Sequence, residues 1–241
     1  MLDFVIGKTV EDGEELHCRL TPNLLIVGGA ESEKAALIGS ILKQLTSYNS
    51  PDELKLVIVN NSGGLTSLEK MSHSNPFAIN AGEHEAFPIL LSSLVEEVEK
   101  RHEILIKAKC NSAQKYNQKH PGEMPPVVVV VDDLASIMLK NDPGKMEPKF
   151  VRFAQAYQRV SDVHFIICAP SEGDIRKWLT GLMVANYGAN VIFLQTTQPA
   201  NYKIFSEDED KLVFTGDKDH TGYYRGANTA GRLKHFKIIG Y

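Results

Sequence analysis

Two short segments of this 241-residue sequence bring together residue types at spacings that could do chemistry. The first is Val27-Gly28-Gly29-Ala30-Glu31-Ser32-Glu33-Lys34-Ala35, which follows an apolar run and opens into a helical pattern. In a GxxxxGK[ST] phosphate loop, backbone N–H groups cradle the phosphates, the lysine reaches the β- and γ-phosphates, and the hydroxyl holds magnesium. Gly28 and Lys34 stand at the required spacing, with Gly29, Ala30, Glu31 and Ser32 between them. Glu33, however, takes the second glycine's position, and Ala35 takes the hydroxyl's. A glutamate there puts a side chain where backbone must approach phosphate, and it adds negative charge beside an anion, as Glu31 does again. Alanine removes an oxygen ligand. Weak or absent ATP binding and no magnesium or other metal site are therefore expected.

The second segment, Val127-Val128-Val129-Val130-Val131-Asp132-Asp133, is a hydrophobic run ending in two carboxylates. In phosphate-loop ATPases the first acid of such a pair orients magnesium and the second, often glutamate, positions the attacking water. Asp133 would act with one methylene less, a shift of about 1.5 Å, and a misplacement of about 1 Å already costs on the order of a hundredfold. Capping of a following helix is the alternative role for both acids. Other catalytic chemistry lacks its residues. There is no GxSxG elbow, Ser40 falls on a helical segment, no histidine pair has zinc spacing, and Cys18, Cys110 and Cys168 are far apart.

The elements that must position these acids follow from alternation of short apolar runs with longer amphipathic ones. Leu24–Val27, Leu56–Val59, Val127–Val131, His164–Ile167 and Val191–Leu194 read as buried strands. Glu33–Leu45, Phe87–Lys109 and Lys149–Val160 read as helices, and Asn60–Gly64, Asn141–Gly144 and Gly216–Gly222 as loops. This order predicts an α/β fold, a mainly parallel central sheet with helices on both faces. Leu212–Phe214, Tyr223–Arg225 and Leu233–Ile239 predict a small β-extension at the end. No linker divides residues 1–241, so a single domain is expected.

Composition narrows the partners. With 26 basic and 30 acidic residues the net charge is -4, so no general positive field would attract nucleic acid, and no DNA partner is expected. Glu207-Asp208-Glu209-Asp210 reads as a solvated acidic loop, and Trp178 as a core residue rather than a partner's anchor. No apolar run is long enough for a membrane span, and the first residues carry no export signal.

With those residues in view, the chain resembles the FtsK/SpoIIIE branch of the RecA-like P-loop NTPases. Besides the two segments above, the resemblance rests on Glu97-Val98-Glu99-Lys100-Arg101, Tyr116-Asn117, His164 to Ala169, Leu179-Thr180-Gly181-Leu182 and Ala185-Asn186. Val5-Ile6-Gly7 and Gly222-Tyr223-Tyr224-Arg225-Gly226 look most like the C-terminal ATPase domain of type VII secretion motors. Two further segments depart from the working motors. The sensor run Ala-Thr-Gln-Arg-Pro is here Ala169-Pro170-Ser171-Glu172-Gly173, and the strand end Asp-Pro-Lys is Asn60-Asn61-Ser62.

The resemblance implies a cytoplasmic domain of a longer chain anchored in the bacterial membrane, with neighbouring ATPase domains in tandem and hexameric assembly. Its implied partners are WXG-type secreted substrates, recognised through a C-terminal signal. The altered segments imply a fold kept for substrate recognition or regulation with weak or no hydrolysis. The alternative is an active ATP-driven translocase of protein or double-stranded DNA, on the strength of Lys34 and Asp132.

Overall fold

The structure is a computed structural model that describes residues 2–20, 23–28, 31–74, 86–141, 152, 161–169, 190–194, 220–230 and 232–238. The expected helix 149–160 (Arg152 apart), the run 212–214, the sensor segment after Ala169, Trp178, the landmarks at 179–182 and 185–186, and the acidic run 207–210 lie outside the described residues. So do Gly29 and Ala30.

The elements run β1 (Asp3–Thr9), β2 (Glu15–Arg19), β3 (Leu24–Val27), α1 (Glu31–Tyr48), β4 (Lys55–Asn60), α2 (Ala86–Lys107), α3 (Ala113–Asn117), β5 (Val127–Asp132), α4 (Leu134–Lys140), β6 (Val163–Ala169), β7 (Asn190–Leu194), β8 (Thr221–Arg225) and β9 (Lys234–Ile238). All five expected buried strands and the helices α1 and α2 are present, with ends moved by a few residues. The chain forms two compact units: Met1–Ser47, Asp133–Ala135 and Ile166–Tyr241 make the first, and Tyr48–Asp132 and Ser136–Phe165 the second.

In the first unit the strands follow the order β2-β1-β9-β8-β7-β3-β6. β3 pairs in parallel with β6 and with β7, and each of its residues is buried, as a strand covered on both faces requires. From β7 onward the pairing turns antiparallel, through β8, β9, β1 and β2. Here burial alternates along the strand, with Leu16 and Cys18 of β2 buried between exposed Glu15, His17 and Arg19. The terminal extension expected from the sequence is thus present as β8 and β9, and it is completed by the β1–β2 hairpin, which the sequence reading did not identify as paired strands. The hairpin turn is held by the Thr9 hydroxyl donating to Asp12, a bond that also holds the Asp12 carboxyl below its ordinary range.

β1 slips register between Val5 and Gly7. Gly7 is needed there, because a Cβ would land against the Lys237 carbonyl and the Phe236 ring. Gln44 of α1 satisfies the displaced backbone, accepting from Val5 N–H and donating to Val5 C=O, both at 2.9 Å. α1 itself buries Leu37, Ile38, Ile41, Leu42 and Leu45, the i, i+4 stripe of an amphipathic helix.

Beneath this extension lies a buried polar network. The single Tyr224 hydroxyl donor lies between two amide oxygens, Asn190 Oδ1 at 2.9 Å and Asn228 Oδ1 at 2.8 Å, while Asn190 donates to the Arg19 carbonyl at 3.0 Å and Asn228 donates to the His17 carbonyl. Burial pushes the neighbouring Cys18 thiol up to about 12, and burial beside Cys18 pushes the Tyr224 phenol up as well. Both groups are therefore neutral and structural.

In the second unit β4 and β5 pair in parallel from Lys55/Val127 to Asn60/Asp132. α2 buries Phe87, Leu90, Leu91, Leu94, Val95, Val98, Arg101 and Leu105. Arg101 is the exception in that apolar stripe, and it bonds Glu97 one turn back at 2.9 Å. The helix closes with Lys109 in a left-handed conformation and Cys110 N–H reaching back to Leu105 C=O, a Schellman-type end. The Tyr116-Asn117 pair then has a structural task. Asn117 clamps the Met124 backbone through two bonds, 2.6 Å to its C=O and 3.0 Å from its N–H, while Tyr116 donates to Glu123 at 2.8 Å. Leu105, Ala113, Tyr116 and Met124 form a small core around them. Among the described residues, no helix is long and apolar enough to cross a membrane.

Candidate functional site

At the end of β3 the chain enters the phosphate-loop segment through Gly28, whose φ of 78° is a left-handed conformation that glycine adopts without strain. Its N–H is already spent, donating to Ala169 C=O at 3.0 Å. α1 starts at Glu31, two residues earlier than the sequence pattern indicates, and acidic residues in a helix's first turn favour such an early start. Only three residues, 28 to 30, therefore separate strand from helix. In a working loop the four residues between the first glycine and the second all belong to the phosphate cradle. Here Glu31 and Ser32 already belong to α1.

Glu33 is the third residue of α1, and its carboxylate lies 3.3 Å from His220 Nδ1, with the side chain 15% exposed. Lys34 is buried at 7% exposure, and Ala35 is partly exposed. Glu33, Lys34, Ala35 and His220 all belong to the first unit.

At the end of β5, in the second unit, Asp132 is buried at 6% exposure. One of its carboxylate oxygens accepts both the Ser62 N–H, at 3.1 Å, and the Ser62 hydroxyl. Ser62 sits in the turn after β4, and that turn is braced. Asn60, the last residue of β4 and the register partner of Asp132, donates to Thr66 at 3.1 Å and Glu69 at 2.9 Å and accepts from Leu65 N–H at 3.0 Å. Gly64 N–H donates to the Ser62 hydroxyl, and Lys140 of α4 donates to Asn61. Asn60, expected in a loop, is thus drawn into the strand by its pairing with Asp132. Asp133, counted with the first unit, has a φ of 56°, a left-handed conformation uncommon outside glycine, and it leads directly into α4.

Set against the phosphate-loop motif, a carboxylate, Glu33, stands at the second glycine, the hydroxyl position is Ala35, and the first acid, Asp132, is hydrogen-bonded to Ser62. Among the described residues no three His, Cys, Asp or Glu side chains converge as a metal site. Sequence reasoning placed Glu33, Ala35 and Asp132 but missed what they touch. His220 carried no signal of its own. Ser62 could have been found, since it follows the strand that pairs in parallel with β5.

Comparison with known proteins agrees with the motifs and the fold. Residues 5–124 match the model of the FtsK/SpoIIIE family. The DNA translocase FtsK of Staphylococcus epidermidis is 24% identical over 257 residues, covering 97% of this chain and 30% of that protein. The chain spans less than a third of the length of the translocases it matches. In structure it is similar to the cytoplasmic domain of the type VII secretion ATPase EccC of Thermomonospora curvata (TM-score 0.77, 19% identity, 98% of this chain, 28% of that one). It is also similar to ATPases 2 and 3 of that EccC with a signal sequence peptide (0.67, 16%, 100% and 41%) and to ATPases 2 and 3 of EssC from Geobacillus thermodenitrificans (0.70, 14%, 99% and 44%). The fold is that of the P-loop NTPases.

Proposed function

We propose that this FtsK/SpoIIIE-type domain is the C-terminal ATPase-like module of a type VII secretion motor, serving substrate recognition or regulation of export with weak or no ATP hydrolysis. The observation that carries the reading is what stands at the motif positions of the phosphate segment: Glu33 replaces the second glycine, with its carboxylate 3.3 Å from His220 Nδ1, and Ala35 replaces the hydroxyl residue. The bonded state of Asp132 supports the same reading from the second unit.

On this reading the parent chain is anchored in the bacterial membrane with this part in the cytoplasm, and it carries further ATPase domains that assemble as a hexamer. Its partners are WXG-type substrates presenting a C-terminal signal. Support for that partner class comes from the similar EccC domains, which were solved with a signal sequence peptide. ATP binds weakly and magnesium adds little, because Ala35 offers no oxygen.

The test is steady-state ATP hydrolysis beside calorimetric titration with Mg-ATP, wild type against Lys34→Ala. No turnover in either protein is expected. A turnover that Lys34→Ala abolishes would overturn the reading in favour of the second, an active ATP-driven translocase of protein or double-stranded DNA. That reading draws on retained Lys34 and Asp132 and on the similarity to FtsK translocases. If DNA is its substrate, an electrophoretic shift at low salt that fades steeply as salt rises is required.

A further inference from the structure

Burial alternates along β9, with Phe236 and Ile238 turned into the core and His235 and Lys237 onto the opposite face of the sheet. His235 is the register partner of Tyr223 in β8, and the two rings stack with 4.5 Å between centroids and 11° between planes. The Nε2 of that histidine is shielded from solvent and has no hydrogen-bond partner. In the neutral ring with its proton on Nδ1, Nε2 is a bare acceptor. Protonation would turn it into a donor with nothing to donate to, the more costly kind of orphan. Burial accordingly holds the His235 imidazole below its ordinary range, with Glu11 acting in the opposite direction.

The charged groups around the ring do not supply the acceptor. On the same face stand Lys237, two residues along β9, its β1 partner Lys8, and Arg225, two residues from Tyr223 in β8. Of the carboxylates on the neighbouring strands, Glu11 lies 3.6 Å from Lys234 Nζ and Glu15 lies 3.7 Å from His17 Nε2. His235 also sits where the ladder is joined. Its carbonyl accepts Val10 N–H at 3.0 Å, and β9 is the strand through which the β1–β2 hairpin meets the rest of its sheet. A change at this ring is therefore felt on both sides of β9.

We propose that the His235–Tyr223 stack is an acid-sensitive clasp of the β-extension: the neutral ring holds β9 in register with β8 and β1, and protonation of His235 loosens the β8–β9–β1 ladder. Gln44, Asn190 and Asn228 keep the hairpin attached by other bonds, so the event is a loosening and not a release. Its sign follows from the surroundings of the ring. A histidine that resists protonation when folded takes up its proton more readily in the unfolded chain. Its contribution is thus complete above the unfolded value, about 6.5, and is lost as pH falls from there through the folded value. The clasp is independent of nucleotide use and stands apart from the proposed function.

The test is amide hydrogen exchange of the whole chain from about pH 7.5 to about pH 5, corrected for the pH dependence of the intrinsic rate. In the wild type, protection at the Val10 amide and along β8 and β9 falls at least about threefold across that range. His235→Phe keeps an aromatic ring on Tyr223 and cannot take a proton, so its protection stays constant. His17 and His220, the other described histidines of this unit, titrate in both proteins, and the difference between the two profiles therefore belongs to His235. A merely structural ring would lower protection when replaced but leave its pH profile unchanged. The proposal is overturned if wild-type protection does not change with pH, or if His235→Phe loses as much as wild type. Should His235→Phe not fold, His235→Gln, which is also neutral throughout, is read for the same loss of pH dependence.

Discussion

At the end of β3 the residues themselves have changed, with Glu33 and Ala35 standing where a glycine and a hydroxyl belong. At the end of β5 the acids are in place and their surroundings have changed, with Ser62 donating twice to Asp132. The two regions teach different lessons about reading chemistry from sequence. A missing group can be seen in a motif, but a group that is present and occupied cannot. An aspartate at a strand end orients a metal or a water only if its lone pairs are free to do so, and the braced turn from Asn60 to Glu69 commits part of Asp132 to holding the loop.

The contrast predicts that the β5 end contributes strongly to stability and the β3 end weakly. Replacing Asp132 by alanine should cost the most, about 3 kcal/mol, because it leaves the Ser62 N–H and hydroxyl without their charged acceptor in a buried setting. Urea unfolding measures it, and a neutral or stabilising result would mean that the Ser62 contacts are incidental. Asn60→Ala comes next, at about 2 kcal/mol, since three hydrogen bonds of a residue 9% exposed disappear together. Amide exchange at Leu65 should accelerate in that variant, and an unchanged rate there would show that the turn is braced by something else.

Asp133→Gly should move the other way and stabilise by about 1 kcal/mol through relief of its left-handed backbone, if the carboxylate no longer serves chemistry. Destabilisation instead would place Asp133 with Asp132 as an acid committed to structure. The smallest effect belongs to the β3 end. Glu33→Gln should cost less than about 1 kcal/mol, since His220 is a third exposed and exposed pairs contribute little. A larger loss would mean that the two regions differ in residue type only and not in how firmly they are built.

The fold was legible where burial is two-sided. β3, β5, β6 and β7 are continuous apolar runs, buried residue by residue, and their placement needs no knowledge of neighbours. The β1–β2 hairpin escaped because its signal is a five-residue alternation in Glu15–Arg19 and a strand interrupted by a glycine bulge, stabilised by a helix 39 residues away through Gln44. The candidate site divides similarly. Departures from the motif at Glu33 and Ala35 were visible at their own positions. The partners Ser62 and His220 lie 70 and 187 residues from the groups they hold, and only the folded chain brings them there.

The asparagines around Tyr224 bear on a different property. β2 lies at the end of its sheet, and an end strand ordinarily offers its backbone to any other extended chain, the first step toward swapping and aggregation. Two of the acceptors it would offer, the carbonyls of His17 and Arg19, are already taken by Asn228 and Asn190. An incoming strand would have to displace both, and with them the bonds of a buried phenol. The same network that orders the interior therefore guards the margin of the sheet.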